Sequence, residues 1–474
     1  MRLTSQQTDR AVGVLLAQAA GDALGVPYEF GTASLDGEPQ MLGGGLGGIA
    51  PGQYSDDTEM AVAIAQVAST GADLRSAHAL EQIAQGFLRW YADGPPDIGI
   101  QTRSVLGETA RRGGGAETMR QVAAELHART GRTAGNGSLM RTGPVALAHL
   151  GDPVAIAEAA RAVSALTHAD PVAQDACVLW CLAIDHAVRT GELDVRVGLT
   201  HVDAAYWAPL LDEAEQVEPS YYRSSNSWVV AALLAAWSAI SRTDGLVAGL
   251  HAAVAGGGDT DTVAAIAGQL LGARYGGSAV PARYRRRLHG WPGLRSRDLV
   301  SLAALTTRGG QVTSGGWPTA ARLADGYDAT AAVVPHPDDP GVLLGDIGAL
   351  TACSTDAVVS LCRIGTDEAR TVVDPADHVE FWLIDKDHAN LDPAAVVLDA
   401  ARTVRDLRNE GKTVLLHCVH AHSRTPIVAA AYGSLVTGAA IATSMTRVQS
   451  VLPSAHSPRR SLYRNLVQQD PSAW

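Results

Sequence analysis

The sequence predicts a multidomain protein: an all-α bundle followed by an α/β domain built on a central, mainly parallel sheet. Three observations carry that prediction. The chain has 474 residues, too many for one ordinary domain. From about residue 9 to 285, apolar residues recur at helical spacing between loops rich in Gly and Pro. After about residue 335, short β-branched runs alternate with helical segments, the order of strand–helix–strand units. The expected boundaries are 1–285 for the helical domain, 286–335 for a connector and 336–474 for the α/β domain.

The apolar spacing predicts helices at Asp56–Ser69, Ala77–Tyr91, Pro153–Ser164, Val172–Arg189 and Trp228–Ile240. Gly13, Ala17, Gly21 and Gly25 recur every four residues, as do Gly268 and Gly272, so these faces allow close backbone approach in a packed bundle. The stretch AVGVLLAQAAGDALG has the composition of a signal peptide. Asp9 precedes it, however, and it runs directly into a motif that must be kept, so it reads as a bundle helix. The connector opens on Arg283, Arg285, Arg286 and Arg287, has room for a helix at Asp298–Leu305, and continues through Gly309, Gly310, Gly315, Gly316 and Pro318. Beyond it, strands are expected at Val358–Arg363, Val379–Ile384 and Val414–His417, with helices at Pro393–Asn409 and Pro426–Leu435.

Composition narrows the function classes. Hydrophobic residues make up 46% and charged residues 18%, which excludes a mainly disordered chain and a multispanning membrane protein. With 37 basic and 49 acidic residues the net charge is −12, which argues against general affinity for nucleic acid or anionic membrane. Lys386 and Lys412 are the only lysines, a bias that reads as GC-rich coding. Five cysteines do not form a secreted disulfide framework. Cys177 and Cys181, four apart in an apolar helix, are expected to be buried thiols. Cytoplasm is the expected compartment.

Two acidic clusters carry the chemistry of the first domain. Ser55-Asp56-Asp57-Thr58 and Asp259-Thr260-Asp261-Thr262 each follow glycines and each open a helix. Capping explains one carboxylate per helix, not three or four. Adjacent carboxylates repel, and hard oxygen ligands at this density suit Mg²⁺, Mn²⁺ or Ca²⁺. By its residues alone the Asn136-Gly137-Ser138 stretch reads as a turn.

The motifs GDALGVPYEF, PGQYSDDTEM, PPDIGIQTR, GNGSLMRTGP, LTHADP and GGGDTDTVAAIAGQLLGARYG follow one another across this half. In that order they resemble the ADP-ribosylglycohydrolase family of all-α dimetal hydrolases. The resemblance implies that Ser55, Asp56, Asp57, Asp259, Asp261 and Thr262 ligate two Mg²⁺ ions, with Mn²⁺ as the alternative. It implies that Glu29 is the gating or general-base residue. It also places Asn136, Gly137, Ser138, Met140, Arg141 and His168 against ADP-ribose. The implied substrate is an ADP-ribosylated protein or an ADP-ribose-containing small molecule.

In the second half, the Val414–His417 run ends in Cys418, then five intervening residues, Arg424, Thr425 and a helix. Loop amides and a helix N-terminus converge there on one spot suited to a phosphate dianion, which a guanidinium can grip in a bidentate fork. With LLGDIGAL, VVSLCR, FWLIDKDHAN and GKTVLLHCVHAHSRTPIVAAAY, this half resembles the small dual-specificity protein tyrosine phosphatases. The resemblance implies Cys418 as nucleophile, Arg424 as phosphate ligand, Asp385 as general acid with Asp387 in reserve and Asn390 in place, and Thr425 as the hydroxyl aiding hydrolysis. A phosphorylated protein or metabolite is the implied substrate. Ala421 departs from the family, which has glycine there, and His420 and His422 flank it; alanine is expected to distort or narrow the loop. The whole chain thus reads as a bifunctional hydrolase. Its rivals are a phosphate-binding second domain without turnover, and an enzyme acting on phosphorylated ADP-ribose metabolites.

Overall fold

Small residues bring two distant helices into backbone contact. A Cβ at Gly13 would overlap the Gly272 carbonyl, one at Gly272 the Gly13 carbonyl, and one at Gly25 the Asp261 backbone. The Ser5–Gly25 and Thr260–Tyr275 helices therefore pack closer than side chains would allow, and both are buried along nearly their whole length. The segment Ser5–Gly31 is long and apolar enough to cross a membrane by length and composition, but its apolar window is wholly buried in the protein. The helices Asp56–Ala68, Pro171–Thr190 and Val229–Ser241 pack on this pair, Ala77–Ala92 packs on the first of them and Pro153–Ser164 on the second, and all five lie within two residues of their predicted bounds. Cys177 and Cys181 are buried free thiols in the Pro171–Thr190 helix.

The computed structural model describes residues 2–311, 316–368, 373–452, 454, 455, 462, 464 and 466. The chain forms two units, Met1–Val280 with Arg287–Gln311, and Pro281–Arg286 with Val312–Trp474. The region 286–335 is thus divided between them and is not a separate connector. Its helix, Ser296–Thr306, packs on the Ser5–Gly25 helix and buries Leu299, Ala303 and Ala304. Pro281–Arg286 belongs to the second unit: the Ala282 amide donates to Asp399 at 2.9 Å and Arg285 stacks over Phe381. Gly315 lies outside the described residues.

The second unit is built on a five-stranded sheet in the order Val333–His336, Asp339–Gly345, Val414–His417, Ala357–Ser360, His378–Glu380. The last four are mutually parallel and the first is an antiparallel edge. Alternation sends Val359, Val414 and Leu416 to the face covered by the Pro393–Asn409 and Arg424–Thr437 helices, and Val358 and Leu415 to the other face. Val414–His417 is buried throughout at the middle, so the loop after it emerges at the C-terminal edge of the sheet. Two ladders stop short of the predicted strands, at Ser360 and Glu380, because the chain there turns aside and presents the Leu361 and Leu383 carbonyls to Arg424.

Candidate functional site

In the first unit the N-termini of the Asp56–Ala68 and Thr260–Tyr275 helices carry the two acidic clusters, and the Ser5–Gly25 helix is packed against both. Asp22 ties that helix to the first cluster. It accepts the Ser55 amide at 2.8 Å and the Thr58 amide at 3.0 Å, and its oxygens also lie 2.9 and 2.6 Å from the Ser55 and Thr58 hydroxyls. A buried carboxylate thus caps the Asp56–Ala68 helix from another element. The Thr260 hydroxyl donates to the Gly25 carbonyl at 2.8 Å and locks the second cluster to the same helix.

Glu29 reaches the site through a turn, Val26–Gly31. Phe30 takes a left-handed φ of 46° and its amide donates to the Gly258 carbonyl at 2.7 Å. One carboxylate oxygen from each of Glu29, Asp259 and Asp261 then lies within 4.8 Å of the others. Burial, followed by the charges of Asp97, Asp259 and Asp56, pushes Glu29 up to about 8. Burial is also the first cause holding Asp56, Asp57 and Asp261 well above the usual carboxylate range; neighbouring carboxylates add to it, with Asp97 foremost at Asp56. So many buried carboxylates resist ionising together without a counter-cation. Asp57 Oδ1 is buried without a hydrogen-bond partner. The donor set of carboxylates and hydroxyls, with this orphaned oxygen, fits hard divalent cations.

The Asn136–Ser138 turn joins the cluster directly: Asn136 Nδ2 donates to Asp259 Oδ2 at 2.9 Å and to the Asn226 carbonyl at 3.0 Å. Ser138 is buried against Cys177, and Met140 is buried with its carbonyl accepting from Gln18 and Gln269. His168 stands behind the turn; a Cβ at Gly137 would lie 3.1 Å from its Cε1. Arg141 is fully buried against Met60, Thr167 and the Phe87 ring. Sequence reasoning passed over Asp22, Asp97 and Asn226. The first two lie inside quoted motifs. Asn226, which holds the Asp259 amide and the Gly257 carbonyl, stands in none.

In the second unit Cys418 is buried where Val414–His417 ends, and Arg424 opens the helix Arg424–Thr437. Arg424 Nη1 donates to the Leu361 carbonyl at 2.9 Å and the Leu383 carbonyl at 3.1 Å, while its Nε is buried without a partner. The fork is anchored from one side and its Nε–H is left for an acceptor. Asp385 is brought to the loop, where Ser423 donates to its Oδ1 at 3.2 Å. Asn390 clamps the preceding residue, accepting the Ile384 amide and donating to the Ile384 carbonyl, both at 2.8 Å. Asp387 is exposed on the same segment. The Thr425 hydroxyl is buried and donates to the Gly345 carbonyl at 3.5 Å. Ala421 takes φ 54°, the left-handed conformation glycine favours, so the turn is kept despite the side chain. His420 and His422 are exposed and stack with centroids 5.6 Å apart.

The family model described as ADP-ribosylglycohydrolase matches residues 3–313. ADP-ribosyl-dinitrogen reductase glycohydrolase of Rhodospirillum rubrum is 30% identical over 297 residues, 59% of this chain and 90% of that protein. ADP-ribosylarginine hydrolase Tri1 of Pseudomonas putida (strain GB-1) is 31% identical over 297 residues, 60% of this chain and 75% of that protein. A solved ADP-ribosylglycohydrolase-related protein complex covers 65% of this chain and 99% of its own, at 28% identity and a TM-score of 0.51.

Proposed function

Because the chain belongs to the ADP-ribosylglycohydrolase family, we propose that its first unit removes ADP-ribose from a protein side chain in a Mg²⁺-dependent reaction and that its second unit hydrolyses phosphate monoesters. One observation carries the first activity: Glu29 joins Asp259 and Asp261 within 4.8 Å beside the Asn136–Ser138 loop, near enough to Asp56 and Asp57 for their charges to act on Glu29 and Asp261. The names of the two relatives support an ADP-ribosylated protein as substrate, with arginine as the modified residue.

Ser55, Asp56, Asp57, Asp259, Asp261 and Thr262 would hold two Mg²⁺ ions, with Mn²⁺ as the alternative. Bound there, the cations supply Lewis acidity and charge for gripping ribose hydroxyls. Glu29 takes a proton from the water that attacks the anomeric carbon and returns it to the side-chain nitrogen, which leaves as its bond to that carbon breaks. The remaining carboxylates face the positive charge that develops on the ribose in an oxocarbenium-like transition state. The Asn136–Ser138 turn orients the diphosphate through its amides.

For the second unit the supporting observation is the meeting of Asp385 and Arg424 at the Cys418 loop. Cys418 Sγ attacks phosphorus, the bond to the leaving oxygen breaks, and Asp385 gives that oxygen its proton. Arg424 binds two non-bridging oxygens. Water then attacks the cysteinyl-phosphate and the thiolate leaves, aided by Thr425.

The test uses an ADP-ribosylarginine protein and an aryl phosphate. Wild type should release ADP-ribose with Mg²⁺ and not with EDTA. Asp261→Asn should lose release by at least about 100-fold while keeping phosphatase activity, and Cys418→Ser the reverse. Release that survives EDTA ends the metal-dependent reading. A wild type that binds phosphate but turns over no phosphoester leaves the second unit a binding module.

A further inference from the structure

Arg141 is a cation with no exposed surface and forms no ion pair among the described residues. Its Nη2 donates to the Thr167 hydroxyl at 2.6 Å, and that hydroxyl lies 2.7 Å from His168 Nδ1. A guanidinium only donates, so the Thr167 oxygen accepts from Arg141. The hydroxyl has no third partner among the described residues. Its own proton therefore points at His168 Nδ1, which becomes an acceptor, and the imidazole proton must sit on Nε2. That edge faces the Asn136–Ser138 turn: Nε2 is 3.3 Å from where a Cβ on Gly137 would stand and 3.4 Å from one on Gly135. The same turn carries Asn136, bonded to Asp259.

From this chain of contacts we infer that Arg141 and Thr167 are positioning residues that fix His168 as a neutral Nε2–H donor, aimed at an anionic oxygen of the ADP-ribose diphosphate. This rests on the reading of the first unit as an ADP-ribose site. Arg141 acts without touching the ligand. Its buried charge, behind the imidazole, polarises the Nε2–H toward an anion and away from a neutral acceptor. Glycine at 135 and 137 leaves the space through which that edge of the ring faces the turn.

The experiment is ¹⁵N–¹H correlation NMR of the full chain labelled at histidine, with ADP-ribose affinity measured by calorimetry on the same samples. Loss of the assigned resonance in His168→Gln identifies it. Wild type should show the Nε2–H pattern. Its Nδ1 resonance should carry the shift of an accepted hydrogen bond, lost in Thr167→Val and kept in Thr167→Ser. ADP-ribose should bind Thr167→Val about tenfold more weakly than Thr167→Ser. His168→Gln, whose amide reaches the Nε2 position, should bind about tenfold more tightly than His168→Asn, whose amide reaches only Nδ1. An Nδ1–H or doubly protonated ring in wild type at neutral pH overturns the proposal, as does equal affinity in Thr167→Val and Thr167→Ser. Should Thr167→Val not fold, the wild-type spectrum and the two His168 variants decide the point. If wild type binds no ADP-ribose at all, the functional reading of the unit fails, and the spectra still decide the relay.

Discussion

His417 stands directly before the candidate nucleophile, fully buried, with its Nε2 2.7 Å from the Ser360 hydroxyl. Burial pushes its pKa from 6.5 down to about 4. The unfolded chain therefore binds the proton first. The stabilisation is complete above pH 6.5 and is lost as the pH falls toward 4, by about 3 kcal/mol in all. Urea unfolding followed from pH 7 to 4 should show that loss, and His417→Gln should flatten it; an unchanged slope in the variant would show that His417 is not the group responsible. Four residues on, Ala421 holds φ 54° in a region where alanine is strained. Ala421→Gly should raise the melting stability of the second unit by about 0.5–1 kcal/mol, the relief of strain less the added backbone entropy of glycine. It should not lower turnover of an aryl phosphate. The sequence shows that glycine is missing there but not that alanine adopts its conformation. It likewise marks Arg141 as part of a motif without revealing that the side chain lies beneath the loop, because depth is a property of the packed unit.

At the scale of elements, the Ser5–Gly25 and Thr260–Tyr275 helices touch through Gly13 and Gly272, where a single methyl group meets backbone on the opposite helix. Backbone cannot swing aside as a side chain can, so Gly272→Ala should destabilise the first unit by about 3 kcal/mol. It should also weaken ADP-ribose release, since Asp22 and Asp261 ride on these two helices. Denaturation midpoints and release rates on the same sample check both. The four-residue spacing of small residues makes this contact legible in the sequence, and the apolar periodicity gives helix ends to within two residues. Asp22 escaped because its four polar contacts are to Ser55 and Thr58, on another helix. Nothing local distinguishes it from a surface acid. Asn226 escaped for the same reason, its partners Gly257 and Asp259 being distant in the chain. Chemistry clustered along the chain was readable; chemistry assembled across it was not.

At the scale of the whole molecule, the break in periodicity near residue 335 signals two units but misplaces the change-over, because Pro281–Arg286 and Arg287–Gln311 follow opposite allegiances. The segment Pro281–Arg286 supplies the second unit with buried Ala282 and with the Ala282 amide and Arg285 guanidinium, which lie 2.9 and 3.6 Å from Asp399. A fragment of residues 312–474 strips Asp399 of both partners. It should be less stable than one of 281–474 by about 2–3 kcal/mol in urea titration, while a fragment of 1–311 keeps the acidic cluster and ADP-ribose release. Equal stability of the two C-terminal fragments would mean that the segment contributes nothing. The same alternation bears on heredity. The chain passes from one unit to the other at 280/281, 286/287 and 311/312, so no single crossover point in the gene exchanges one unit whole. A recombinant joined anywhere between codons 281 and 311 carries a piece of the wrong parent into one of its cores. Lineages holding both halves should therefore transmit them as one linked allele, and intact swaps between distant relatives should be rare.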